Sequence, residues 1–158
     1  MIAILLNDAS FEQDIRELLM AFYPGETFTH KEEEAGETEL IVRGVRDGNS
    51  FSLDVTPVKK EAVHFALIYP DFSNRFQTKN EIKQTLYRLL SAQTGRELPW
   101  GTLTGIRPTK IALTKLYDGW TDEQIETYMR ETYFTSKEKI DLSIDVAERE
   151  RRLLSTID

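Results

Sequence analysis

The sequence predicts an α+β protein: a small, mostly antiparallel sheet with a packed helix, followed by a helical C-terminal part. Three observations predict it. An unbroken apolar run opens the chain at residues 2–6, two strand-like runs flank Asp47-Gly48, and from residue 73 apolar residues recur at helical spacing. The expected division is a sheet region over 1–72 and a helical region over 73–158, together forming one compact unit.

Residues 2–6 carry no polar side chain, as in a strand buried on both faces. Ser10 and Gln13 have the spacing of a capping box. Phe11, Ile15, Leu18, Leu19 and Phe22 then form one helical stripe, which Pro24-Gly25 ends. A short strand is expected within 26–31, and an exposed acidic loop within 31–37. Asp47-Gly48 is a two-residue hairpin signal. Closing the turn there pairs Gly44 with Phe51, Val42 with Leu53 and Leu40 with Val55. The apolar residues then share one face, and a mixed, half-solvated set (Ile41, Arg43, Val45, Ser50, Ser52, Asp54) occupies the other. Residues 62–69 read as strand or helix. The alternation of Val63, Phe65, Leu67 and Tyr69 favours a strand ending at Pro70.

A helix begins between Ser73 and Thr78, with Ile82, Leu86, Leu89 and Leu90 as its stripe and Gly95 as its C-terminal cap. Another runs from Pro108 to Tyr117 and stops at Asp118-Gly119. Thr121 with Gln124 starts a third, with Ile125, Tyr128 and Met129 inward. Thr135 with Glu138 starts a fourth, which runs to about Ser155 with Ile140, Ile144, Ala147 and Leu154 in register.

Composition excludes several chemistries. The chain of 158 residues contains no cysteine, so it holds no disulfide, thiol nucleophile or cysteine-ligated metal. Its two histidines lack metal-ligand spacing, and there is no Walker loop, dinucleotide fingerprint or nucleophile elbow. No apolar run is long enough to cross a bilayer, and the apolar start lacks the basic flank of a signal peptide, so a cytoplasmic protein is expected. Residues 1–70 hold 6 basic and 13 acidic groups, whereas 74–117 hold 8 basic groups against Glu81 and Glu97 alone. Such an island favours an anionic partner, although charged helix faces are commonly just solvated. Aromatics interleave with these cations, as in RNA-binding surfaces, but a sequence pI near 5.0 argues against nucleic acid.

The least generic stretch lies inside that island: Trp100-Gly101-Thr102-Leu103-Thr104-Gly105-Ile106-Arg107-Pro108-Thr109-Lys110. Pro108 keeps Arg107 extended and opens a helix, which places Arg107 and Lys110 at a helix N-terminus. Backbone N–H groups and a guanidinium there suit an anion. Trp100, Thr104, Gly105, Arg107 and Lys110 are the candidate substrate- or partner-binding residues. The competing reading makes Trp100, Leu103 and Ile106 core and Arg107 an internal ion pair.

From Lys79-Asn80 through Gln93-Thr94-Gly95 to Lys110, the chain resembles the N-terminal region of HemZ-type oxygen-independent coproporphyrinogen III oxidase-like radical SAM proteins. In that branch a Trp-Gly pair and then Leu-Thr-Gly-Ile-Arg-Pro-Thr-Lys precede the radical SAM domain. The resemblance rests on about half the chain. It implies a longer parent in haem biosynthesis, whose radical SAM domain holds a [4Fe–4S] cluster and cleaves S-adenosylmethionine. It places neither ligand on this chain and no catalytic residue in it. The partners it implies are that domain and an anionic tetrapyrrole, with no membrane. An accessory domain assisting tetrapyrrole binding, a purely structural docking module and an RNA-binding module are the three functional expectations.

Overall fold

The computed structural model describes residues 1–59, 62–104 and 108–156. The chain divides into two compact units, Met1–Glu97 and Leu98–Asp158.

In the first unit, β1 (Ile2–Leu6) leads through a 3₁₀ turn to α1 (Glu12–Phe22), then β2 (Phe28–Thr29), β3 (Leu40–Asp47), β4 (Ser50–Pro57), β5 (His64–Ile68) and α2 (Arg75–Thr94). The strands form one sheet in the order β2-β1-β3-β4-β5. The β3–β4 and β4–β5 pairs are antiparallel, as expected. In addition, β1 runs parallel to both β2 and β3. Local sequence signals hairpins through their turns, but a parallel pair leaves no such mark.

The hairpin register differs from the expected one by two residues. Leu40 faces Pro57, Val42 faces Val55, Gly44 faces Leu53 and Arg46 faces Phe51. The turn is Gly48-Asn49, with Gly48 at φ +60°. Glycine at the first turn position supplies the positive φ that matches strand twist. A slip of two preserves side-chain parity, so Leu40, Val42, Phe51, Leu53 and Val55 still share the buried face. Gly44 lies on that face because a Cβ there would come within 2.7 Å of Leu6 Cδ2 and 3.2 Å of Phe51 Cζ.

Helix α1 buries Ile15, Leu18, Leu19 and Phe22 as its stripe requires. It packs on β1 and α2, and α2 packs on β4 and β5. Phe11 meets Phe51 edge-on at 6.4 Å, and Phe22 meets Tyr87 at 5.3 Å. The Ser10–Gln13 capping box does not form. Asp8 caps the preceding 3₁₀ turn instead, accepting hydrogen bonds from the Ser10 N–H at 3.0 Å and hydroxyl at 2.6 Å. Residues 32–37 form a 3₁₀ helix that buries Ala35, rather than an open loop.

Residues 64–68 are strand, but their larger apolar side chains face outward. Phe65 pairs with Asp54 and Leu67 with Ser52, on the sheet's half-solvated face. Helix α2 starts after Asn74, whose side chain caps Gln77 N–H at 3.1 Å, and ends at Gly95 with φ +70°. By packing, α2 belongs with the sheet, so the chain divides at Glu97/Leu98 rather than at the expected 72/73.

The second unit holds α3 (Lys110–Tyr117), α4 (Asp122–Tyr133) and α5 (Lys137–Ser155). Its core is Ala112, Leu116, Ile125, Met129, Ile140, Ile144 and Ala147. Thr121 and Gln124 form the expected capping box. The cap of α5 is Ser136, not Thr135, and Leu154 is exposed rather than in the apolar register. Pro108 precedes the first residue of α3 by two.

Candidate functional site

The motif begins as a strap across the turn between α4 and α5. Thr102 N–H donates to the Tyr133 carbonyl at 2.7 Å, and Ser136 N–H donates to the Pro99 carbonyl at 2.8 Å. The Thr135 hydroxyl donates to the Trp100 carbonyl at 3.1 Å. That contact, with Thr135 itself buried, explains why Ser136 takes the cap. Gly101 has φ +64°, and a Cβ on it would lie 1.9 Å from the Tyr133 carbonyl oxygen. No other residue type fits, because both the conformation and the space demand glycine. Phe134, at the crossing, holds φ +57° as the C-cap of α4.

The candidate residues therefore fall into two sets. Trp100 is part of the strap, half-buried, with Lys139 Nζ 5.7 Å from its ring centre. Thr102 is buried and Leu103 packs on the helical core. Both serve the unit's own fold. Thr104 is half-buried, and Lys110 is exposed at the start of α3, where its carbonyl accepts from the Thr114 hydroxyl. Gly105, Ile106 and Arg107 lie outside the described residues, and with them the expected extended Arg107.

Several cations of the basic island make contacts inside their own unit. Arg75 donates to the Ser10 carbonyl and stacks over Phe11. Arg96 donates to the Phe22 carbonyl and lies over Tyr23. Lys115 lies 4.4 Å from the Trp120 ring centre and 4.7 Å from that of Tyr128. Lys83 is only 8% exposed. Burial pushes its ammonium pKa down, and the pull of Asp14 and Glu17 on α1 does not restore it. Arg75, Arg96 and Lys115 thus each make a contact within their own unit.

A second polar constellation lies along β1 and β3, where β1 is flanked by parallel strands on both sides. In open α/β sheets such a switch of direction leaves a crevice at the strands' carboxyl ends. Here a cleft of about 300 Å³ is lined by residues including Asn7, His30, Glu32 and Arg43. Arg43 grips Glu32 with two hydrogen bonds, at 2.9 and 3.1 Å, which lowers the Glu32 pKa. His30 Nε2 is 3.0 Å from Glu12 Oε1. Burial raises the Glu12 carboxyl, but hydrogen bonds from His30 and Arg16 outweigh it and the pKa falls. Arg43 is thus paired with Glu32, and Glu12 is shared by His30 and Arg16. Nothing local in the sequence announces this cleft, because the paired residues stand 18 and 11 positions apart. Among the described residues, no cluster of His, Cys, Asp or Glu could hold a metal ion.

One segment of the chain is similar to a known protein. Over 98 residues, 60% of this chain, it is 36% identical to the oxygen-independent coproporphyrinogen-III oxidase-like protein HemZ of Bacillus subtilis (strain 168). That identity makes the chain a relative of HemZ over the matched segment. The match spans 19% of the length of HemZ. No protein-family model matches the chain, and no solved structure does.

Proposed function

We propose that this chain is the N-terminal accessory domain of an oxygen-independent coproporphyrinogen III oxidase-like radical SAM protein of haem biosynthesis, working in the cytoplasm. It packs on the catalytic domain and assists in binding the tetrapyrrole. The observation that carries this reading is the 36% identity to HemZ over a segment amounting to 19% of that protein. A chain without cysteine does not fit a [4Fe–4S] cluster, whose ligands are thiolates, so the reactive chemistry belongs to other parts of such a parent. What this chain contributes is recognition. Coproporphyrinogen III carries four propionates. Arg107 binds one through paired N–H···O bonds, and Lys110 adds a second cation three residues on. The strap at Gly101–Thr102 fixes the root of that segment, which limits the entropy lost on binding.

A second reading, a purely structural docking module, draws on the same strap. Trp100, Gly101, Thr102 and Leu103 are all used within the helical unit, so the first four residues of the motif have a structural explanation already. Titration of the chain with coproporphyrin III, followed by porphyrin fluorescence, separates the two. Saturable binding that falls at least tenfold in Arg107→Ala and Lys110→Ala supports substrate recognition. Absence of porphyrin binding, with capture of a separately produced radical SAM domain, supports docking alone.

A further inference from the structure

We propose that this chain self-associates as a two-fold dimer through the free edge of β5, joining two five-stranded sheets into one of ten strands. The sheet has two edges, and they are unequal. On one side β2 is two residues long, short enough to offer no template. On the other, β5 runs for five residues, and its pairing with β4 is regular and one-to-one. Between residues 63 and 69 (Val-His-Phe-Ala-Leu-Ile-Tyr) there is no Lys, Arg, Asp, Glu or Pro. Charge and proline, two usual devices against edge pairing, are thus missing from this stretch.

The side chains on this edge are also out of place for a solvated strand. Val63 is 55% exposed, Phe65 61%, Leu67 48% and Tyr69 66%. Phe65 and Leu67 lie on the sheet face opposite α2, with Val63 and Tyr69 just beyond the strand ends, and Val45, also exposed, extends the patch through the row Val45–Ser52–Leu67.

A second copy is the occupant this strip fits. An antiparallel two-fold pairing centred on Ala66 sets Val63 against Tyr69, Phe65 against Leu67 and Ala66 against itself. Each large pair joins an aromatic to an aliphatic side chain, a favoured cross-strand combination. Directly opposed residues share a face, so eight apolar side chains merge into one band. On the other face His64 meets Ile68, and no like charges meet anywhere in the pairing.

The helix layer permits the same arrangement. Helix α2 packs to the same extent on β4 and β5, so it lies over the seam between them. Adding β5 of a second copy places the two α2 helices two strand spacings apart, about 9.6 Å. Helices pack at roughly 8–10 Å, so the axis spacing suits direct packing of the two helices. The area sets the strength. Edge pairing leaves this face open to solvent, so it buries the free backbone edge and only the facing flanks of these side chains, well below the roughly 800 Å² per partner of a standard interface. The dimer is therefore weak and in exchange with the monomer.

Sedimentation equilibrium over roughly 10 µM to 1 mM brackets associations of that strength. The expected mass climbs with concentration from 18.3 kDa toward twice that value and no further. In the same range, amide resonances of 63–69 should shift, and the outward-facing β5 amides should gain protection from hydrogen exchange. Phe65→Lys and Leu67→Lys alter exposed side chains, so both variants should remain folded by circular dichroism and stay monomeric. A parent chain that stays at 18.3 kDa throughout overturns the proposal and assigns the strip to another protein. Association that survives both substitutions, or that grows past the dimer, overturns it too, since an isologous edge closes at two.

Discussion

Gly101 shows how little of this motif is free to vary. Its φ of +64° and the 1.9 Å approach of a Cβ to the Tyr133 carbonyl forbid a side chain. Gly101→Ala should cost about 3 kcal/mol or more through left-handed strain and steric overlap, read as a lowered urea midpoint of the helical unit. Lys83 predicts the opposite sign. Its ammonium is buried, and burial lowers its pKa below the usual 10.5. At neutral pH the folded state must hold that charge in a poor place. Lys83→Met should therefore stabilise the chain by roughly 1 kcal/mol or more. As pH rises through the lowered pKa toward 10.5, the folded state sheds the proton while the unfolded chain keeps it, so the cost fades. Urea titrations at pH 7 and pH 10 should accordingly show parent and variant converging. Sequence alone could not single out Lys83, because its charge looks like any other in the island.

Elements were legible where their signals are local. The capping box of α4 was readable from Thr121 and Gln124 because all its atoms lie within one turn. Thr121→Ala should cost about 1 kcal/mol, measurable by urea unfolding, and Thr121→Ser should restore most of it. Thr135 and Glu138 have the same spacing, yet a long-range contact overrode it. The Thr135 hydroxyl was taken by Trp100, a residue 35 positions away, and Ser136 became the cap. The hairpin was legible in its faces and not in its register, since a two-residue slip leaves parity untouched. In β5 the alternation itself was right. Alternation does not say which face is inward, and the less exposed side went to His64, Ala66 and Ile68. The strap was half legible: a Trp-Gly pair announces a turn, but nothing local says that it crosses residues 133–136.

For the molecule as a whole, chain order proved a poor guide to partition. Helix α2 follows the sheet in sequence and reads as the start of the helical part, but its apolar stripe is satisfied by β4, β5 and α1. The charge excess over 74–117 is spread across both units, and within them Arg75 and Lys115 make contacts that no count of charges announces.

That partition also divides the chromophores. The chain has two tryptophans, Trp100 and Trp120, and both lie in the second unit. Trp100 stands in the strap, and Trp120 meets Tyr128 edge-on at 5.5 Å. Both indoles thus report from the unit of α3, α4 and α5, while the six tyrosines are shared three and three between the units. A tyrosine change with indole emission still native would therefore mark loss of the sheet unit first, with no dye attached.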